Sequence, residues 1–229
     1  MTEKLIAGLE KLKLQLSLRQ TEQLEAYINE VLEFNKGYNL MKADSADEMA
    51  VSHILDSLAA YEPVKGLIEK RCADKGTDVL EIADIGSGGG CPGVPLAIVF
   101  PGHNFTLVER MEKRCVFLLS VIKKLELNNV KVECKAVDLV KPEVFDIEVF
   151  RAFHPFDLKI TNLLLRMLKK GGYLAAYKAR EEKILAEMEV IKPIVKEYNR
   201  IKLEVPFLED HERNLVVIKK ITLHKAQSD

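Results

Sequence analysis

The residues best suited to chemistry stand close together near the middle of the chain. Asp84, Gly86, Gly88 and Gly90 spell D-x-G-x-G-x-G inside ADIGSGGGCPGVPLAI, residues 83–98, which packs five glycines and two prolines between two apolar runs. A strand-to-helix turn needs one or two glycines, and each costs backbone entropy on folding. The excess predicts bare main chain lying against a ligand at the carboxyl end of a strand, where open α/β sheets bind their ligands. Pro92 is suited to open the next helix, and free amides there favour a carboxylate or phosphate.

Two ligands compete for this loop. Gly88, Gly90 and Gly93 also spell G-x-G-x-x-G, the dinucleotide fingerprint, but that reading starts inside the loop rather than at the strand end. The acid at Asp84 would repel a pyrophosphate and suits a ligand carrying an ammonium group. Glu109, 23 residues past Gly86, ends the next strand, where a carboxylate can accept hydrogen bonds from both ribose hydroxyls. Glycines, an amino-acid-like end and an acid for a sugar together fit S-adenosylmethionine. An NAD-dependent oxidoreductase is the alternative.

Further along, Val137 and Asp138 follow a third strand. There an acid can accept the adenine amino group and a backbone N–H can serve a ring nitrogen; a helix-capping Asp is the competing reading. Arg151 follows the fourth strand, where its forked guanidinium can grip a phosphate or a guanine edge. Lys113 and Arg114 put positive charge at a helix start, which the macrodipole disfavours, so a role in RNA backbone contact is expected. Lys178, Arg213, Lys219 and Lys220 are further basic candidates. His53 is expected to pack or cap.

The elements that must position these residues are legible from periodicity. In TEQLEAYINEVLEFN, Leu24, Tyr27, Ile28, Val31 and Leu32 mark one helical face. Ser17 with Gln20 resembles a capping box at its start. A further helix through DEMAVSHILDSLAAY is expected to stop before Pro63. From about residue 76, strand-length apolar runs alternate with amphipathic helices, which predicts a mostly parallel sheet covered on both faces. The runs VKEYNRIKLEV and RNLVVIKKITL have only PFLEDHE between them, so the last two strands are expected to be antiparallel. The expected organisation is a helical extension over 1–62 and a Rossmann-like domain over 76–224, with seven strands, the last antiparallel.

Composition narrows the classes. The chain has 229 residues, 48% hydrophobic and 30% charged, with a net charge of −1, and fits a globular protein. No apolar run reaches the length needed to span a bilayer, and the N-terminus lacks the clean apolar core of a secretory signal. Residues 151–229 carry sixteen Lys and Arg against eleven Asp and Glu, a modest excess that could face a polyanion. A non-catalytic RNA-binding protein would use it. Cys72, Cys91, Cys115 and Cys134 lack C-x-x-C spacing and no histidines sit at zinc spacing, so no metal site is expected. Four scattered thiols without a disulfide framework suit a reducing cytosol.

Five segments taken together resemble one family, the RsmG (GidB) 16S rRNA guanine-N7 methyltransferases. They are EFNKGYNLMKADSADEMAVSHILDSL, DIGSGGGCPGVPLAI, LVERMEKRCVFL, FRAFHPF and ERNLVVIKK, in the family's order over about 190 residues. The resemblance implies the class I S-adenosylmethionine-dependent methyltransferase fold and that cofactor. It implies cofactor contacts from Gly86, Cys91, Val137, Asp138 and Arg151, with Arg151 also at the catalytic centre. It further implies 16S ribosomal RNA, naked or in the small-subunit particle, as partner; separately, a cytoplasmic monomer with no membrane association is expected.

Overall fold

The computed structural model describes residues 2–221; the last three positions expected for the Rossmann-like domain, 222–224, lie outside them. Seven strands form one sheet: β1 (Glu81–Ile85), β2 (Asn104–Glu109), β3 (Val130–Cys134), β4 (Phe145–Arg151), β5 (Leu168–Lys178), β6 (Asn199–Leu203) and β7 (Arg213–Lys219). Their order is β3-β2-β1-β4-β5-β7-β6. β1 through β5 pair in parallel, and β7 is antiparallel to both β5 and β6. The expected sheet, with its last strand reversed, is therefore present. Strand order reverses between β1 and β4, and a crevice opens there at the carboxyl ends of the strands.

Eight helices cover the sheet among the described residues. α1 (Glu3–Lys11) and α2 (Leu18–Asn35) come first, and Ser17 closes the expected capping box with Gln20. α3 runs from Ala46–Met49 through a π-helical stretch, Ala50–Leu55, into Asp56–Leu58. α4 (Tyr61–Lys75) was not expected. Pro63 does follow the end of one helix, but it also falls in the first turn of the next, where no backbone N–H is needed. The remaining helices are α5 (Gly93–Val99), α6 (Glu112–Lys124), α7 (Leu158–Met167) and α8 (Glu181–Ile191).

One apolar cluster joins Leu5, Leu24, Tyr27 and Ile54 of the N-terminal helices to Ile82, Leu107 and Ile147 of the sheet. A second, on the other face, packs Ala83, Ile85 and Phe150 against Leu164 of α7 and Ile184 of α8. The first cluster places α3 over the carboxyl ends of the strands, and this is how the amino-terminal helices reach the crevice.

The cysteines differ from expectation. Cys115 and Cys134 are joined in a disulfide, with Cα atoms 5.8 Å apart, and Cys72 and Cys91 are free. The β2–α6–β3 crossover brings the first turn of α6 beside the end of β3, which residue spacing alone does not reveal. No helix among the described residues is long and apolar enough to cross a membrane.

Candidate functional site

The glycine loop is built to keep side chains out. Gly86 has φ +69°, a conformation L-residues avoid. A Cβ there would also fall 2.3 Å from the ring of Phe153. The N–H groups of Gly86 and Ser87 both donate to the Val108 carbonyl, at 2.9 and 3.1 Å, which fastens the loop to the end of β2. Asp84 ties the other side. Its Oδ2 accepts the Gly93 N–H at 2.9 Å, and its carbonyl accepts the Ser87 hydroxyl at 2.8 Å. Burial pushes its pKa up to about 7, against the pull of the Gly93 and Ser87 hydrogen bonds. Asp84 therefore faces the backbone of its own loop. The Gly93 amide, expected to be free for an anion, is already taken.

Glu109 is nearly as buried as Asp84, at 4% exposure. Its Oε1 accepts the N–H groups of Arg110 and Met111, each at 2.8 Å. Its Oε2 accepts the Gly88 N–H at 2.9 Å, and Arg114 Nη1 stands 3.8 Å away. A carboxylate offers about four acceptor positions, so a single one is left. Glu109 cannot grip two ribose hydroxyls as it stands, because backbone amides have claimed the rest.

A cleft of about 640 Å³ lies alongside, walled by Gly86, Glu109, Arg114, Val137, Asp138 and Phe153 among others. Four of the expected cofactor residues thus meet: Gly86, Glu109, Val137 and Asp138. Val137 opens a short helical turn, Val137–Leu139, so its N–H has no intrahelical acceptor. The exposed Asp138 carboxylate has no hydrogen-bond partner among the described residues. The other expected residues sit behind the cleft or apart from it. Gly88 supports Glu109 from below. Cys91 is buried with its Sγ 3.3 Å from the Tyr27 hydroxyl, which also donates to the Gly89 carbonyl at 2.6 Å. It fastens the loop to α2.

Arg151 lines a second cleft, of about 570 Å³, and not the first. Its Nη1 donates to the Ser52 carbonyl at 3.1 Å and to Asp56 Oδ2, and its Nη2 to His53 Nδ1 at 2.8 Å. Arg213 Nε donates to the other oxygen of Asp56 at 2.8 Å. One buried carboxylate therefore holds two arginines at the edge of a cavity. His53 Nε2 lies 3.0 Å from the Lys42 carbonyl, which assigns the proton to Nε2 and leaves Nδ1 to accept from Arg151. Burial first, and the Arg151 charge second, push the His53 pKa below its ordinary value, in keeping with a neutral ring. Ser52 and His53 belong to the π-helical stretch and Asp56 follows it. Such bulges are frequent at functional sites.

The two clefts share one wall, Ala152, Phe153 and His154. Ala152 has φ +53°, a strained value for a residue with a Cβ. That turn swings the Phe153 ring back over Gly86.

The four residues expected to bind RNA do not form one face. Lys113 is exposed, its Nζ 5.3 Å from the centre of the Tyr38 ring. Arg114 turns into the first cleft. Lys178 lines the second but is paired with Glu187 at 2.6 Å and lies 4.4 Å from the centre of the Phe156 ring. Arg213 is held by Asp56. Lys219 and Lys220 pair with Asp74 and Glu143. His53, expected to pack or cap, bonds the Lys42 carbonyl and Arg151; Asp56, Ser52 and Phe153, which line the clefts, were not singled out from the sequence. The available signal was His53 and Asp56 three apart in SHILDS, on one helical face.

Comparison with known proteins points one way. The family described as "rRNA small subunit methyltransferase G" (GidB) matches residues 20–216. A protein of Treponema denticola named "Ribosomal RNA small subunit methyltransferase G" is 38% identical over 217 residues, covering 86% of this chain and 85% of that one. A protein of the same name from Francisella tularensis is 32% identical over 220 residues, covering 96% and 98%. Among solved structures, the tRNA (m1A58) methyltransferase TrmI from Aquifex aeolicus superimposes with a TM-score of 0.54 at 15% identity, over 72% of this chain and 69% of that one. That last likeness is one of fold.

Proposed function

The chain belongs to the rRNA small subunit methyltransferase G family, and from that premise we propose that its two clefts divide the methylation of N7 of a guanine in 16S ribosomal RNA. The family match gives no support to the oxidoreductase or to the non-catalytic RNA-binding protein.

S-adenosylmethionine is the methyl donor, and when bound it supplies an electrophilic methyl group on a sulfonium. The first cleft suits it. Gly86 leaves main chain bare, Glu109 keeps one acceptor for a ribose hydroxyl, and Val137 N–H and the Asp138 carboxylate are free for the edge of an adenine. Asp84, Gly88 and Cys91 serve this cleft from behind by fixing the loop.

The second cleft takes the target guanine. N7 carries a lone pair and no proton, so no general base is required. His53 is not placed to act as one, since Arg151 occupies its Nδ1. The work left to the chain is orientation and electrostatics. Three of the five N–H donors of Arg151 are used by Ser52, Asp56 and His53; the remaining two, with those of Arg213, can hold a phosphate or a base edge. Because α3 supplies Ser52, His53 and Asp56, the N-terminal helices are part of the substrate site. Lys113, exposed at the start of α6, is suited to the RNA backbone, and contacts of this kind weaken with salt. A small-subunit RNA substrate favours an activity in the cytoplasm.

The observation that carries this reading is the shared wall at Ala152–His154, which sets the two clefts side by side at the switch point of the sheet. The test is incubation with tritiated S-adenosylmethionine and unmethylated small-subunit RNA or particles, followed by mapping. Label at N7 of one guanine is expected. Label on another base or atom, or none on either substrate, overturns it.

A further inference from the structure

We propose that Arg114 is a cofactor-binding residue that donates to a ribose hydroxyl oxygen, sharing the sugar with the last free acceptor of Glu109. The inference rests on the reading of the first cleft as the site of S-adenosylmethionine.

The argument starts from a shortage. A ribose presents two hydroxyl groups, and Glu109 can accept from one, because Arg110, Met111 and Gly88 occupy its other acceptor positions. A second protein partner is needed within the same cleft. Arg114 lines it, and its side chain is underused. Its one ion pair among the described residues is the 3.8 Å approach to Glu109 Oε2, beyond hydrogen-bond length. Its Nε is buried and has no acceptor among the described residues. Buried N–H groups without partners are rare in native structures and ask for an explanation. Nε itself is closed to a cleft ligand, but the side chain is 39% exposed with Nη1 facing Glu109 Oε2, so the Nη donors are the ones a ligand oxygen can reach.

The chemistry is complementary. A hydroxyl can donate its proton to Glu109 Oε2 and accept from a guanidinium with its lone pairs. An RNA phosphate is the poorer occupant, because the carboxylates of Glu109 and Asp138 wall the same cleft. The neighbouring Lys113 has the exposure a backbone contact requires. Arg114 is also fixed in place. Its own N–H donates to the Met111 carbonyl at 2.9 Å, and the next residue, Cys115, is joined to Cys134 at the end of β3.

The test is calorimetric binding of S-adenosylhomocysteine and of its 2′-deoxy and 3′-deoxy analogues to the full chain, without RNA or turnover. Arg114→Gln is the main variant, Arg114→Ala the second should the first fold poorly, and Lys113→Ala the control. Loss of a charged hydrogen bond should weaken binding of S-adenosylhomocysteine roughly tenfold to a hundredfold. One of the deoxy analogues should bind wild type weakly and lose little more in the Arg114 variants, because the partner oxygen is already gone. Lys113→Ala should change neither. Equal affinity of wild type and Arg114 variants, or a loss of the same factor for all three ligands, overturns the proposal while leaving the cleft assignment intact. Failure of the wild type itself to bind S-adenosylhomocysteine overturns the cleft assignment, and the proposal with it.

Discussion

Two buried aspartates gather basic side chains at opposite ends of the sheet. At the amino ends of the strands, Asp146 of β4 is bonded to Arg71 at 3.2 Å, to Lys75 and Lys169 at 2.9 Å, and to the Glu81 N–H at 3.1 Å. At the carboxyl ends, Asp56 is bonded to Arg151 and Arg213. The chemistry is alike, yet the surroundings differ. The partners of Asp146 spend their charge on it, and neither Asp146 nor Arg71 lines either cleft. The partners of Asp56 keep N–H donors to spare, and both arginines line a cavity next to a strained turn. A buried ion pair alone does not mark a site; the proposed site adds surplus donors beside a cavity.

The largest expected effect breaks the amino end. Asp146→Ala leaves Arg71 buried without its partner, which should cost about 3–5 kcal/mol in urea unfolding. Affinity of the folded protein for S-adenosylhomocysteine should not change. Burial alone would raise the Asp146 pKa, but hydrogen bonds from Lys169, Lys75 and the Glu81 N–H outweigh it and hold the carboxyl below its ordinary value. Its stabilisation is therefore present above about pH 4 and lost as pH falls through the folded value. Wild type and variant should converge in acid. A variant as stable as wild type at neutral pH would remove the structural role of this cluster.

At the other end, Asp56→Ala should lower methyl transfer roughly 100-fold by releasing Arg151 and Arg213 from register. S-adenosylhomocysteine affinity should hold, since the first cleft is untouched. The stability loss should be smaller than for Asp146, because both arginines reach solvent, with side chains 17% and 29% exposed. Undiminished methylation would mean that the second cleft is not where the guanine binds.

This contrast also shows what the sequence can and cannot carry. All seven strands and the reversal of the last were legible, because alternation of apolar runs is a local property. The glycine loop and the acid ending β2 were legible for the same reason. The partners of Glu109 were not, since they are backbone amides and have no residue signature. Asp56 and Arg151 lie 95 residues apart, and no spacing rule joins them; only the packing of α3 over the strand ends does. The π-helical stretch that presents His53 follows from that packing too. α4 was missed because a proline was read as a stop alone, when it also suits the first turn of the next helix. The Cys115–Cys134 pair needed the crossover geometry.

A change of slope rather than of level is expected of a third buried acid, two residues from Asp146 on the same side of β4. Glu148 is fully buried between Ala83 of β1 and Leu174 of β5, and both of its oxygens lack a partner among the described residues. No cation bonds it as Lys169 bonds Asp146. Burial pushes its pKa well up, and the charge of Lys220 opposes this only in part. The folded chain therefore holds a proton that the unfolded chain releases above about pH 4.5. Stability from this group is present below that pH and declines as pH rises towards the folded value. Glu148→Gln carries no titrating group, so its stability should fall less steeply than that of wild type between pH 5.5 and 8, by up to about 1.4 kcal/mol per pH unit. Taking the difference between the two proteins at each pH cancels Asp84, whose raised pKa of about 7 contributes in the same direction, and His53, which contributes in the opposite one. Parallel stability curves from urea unfolding would show Glu148 ionised in the folded chain, with a cation as its partner in solution, and the distinction between it and Asp146 would disappear.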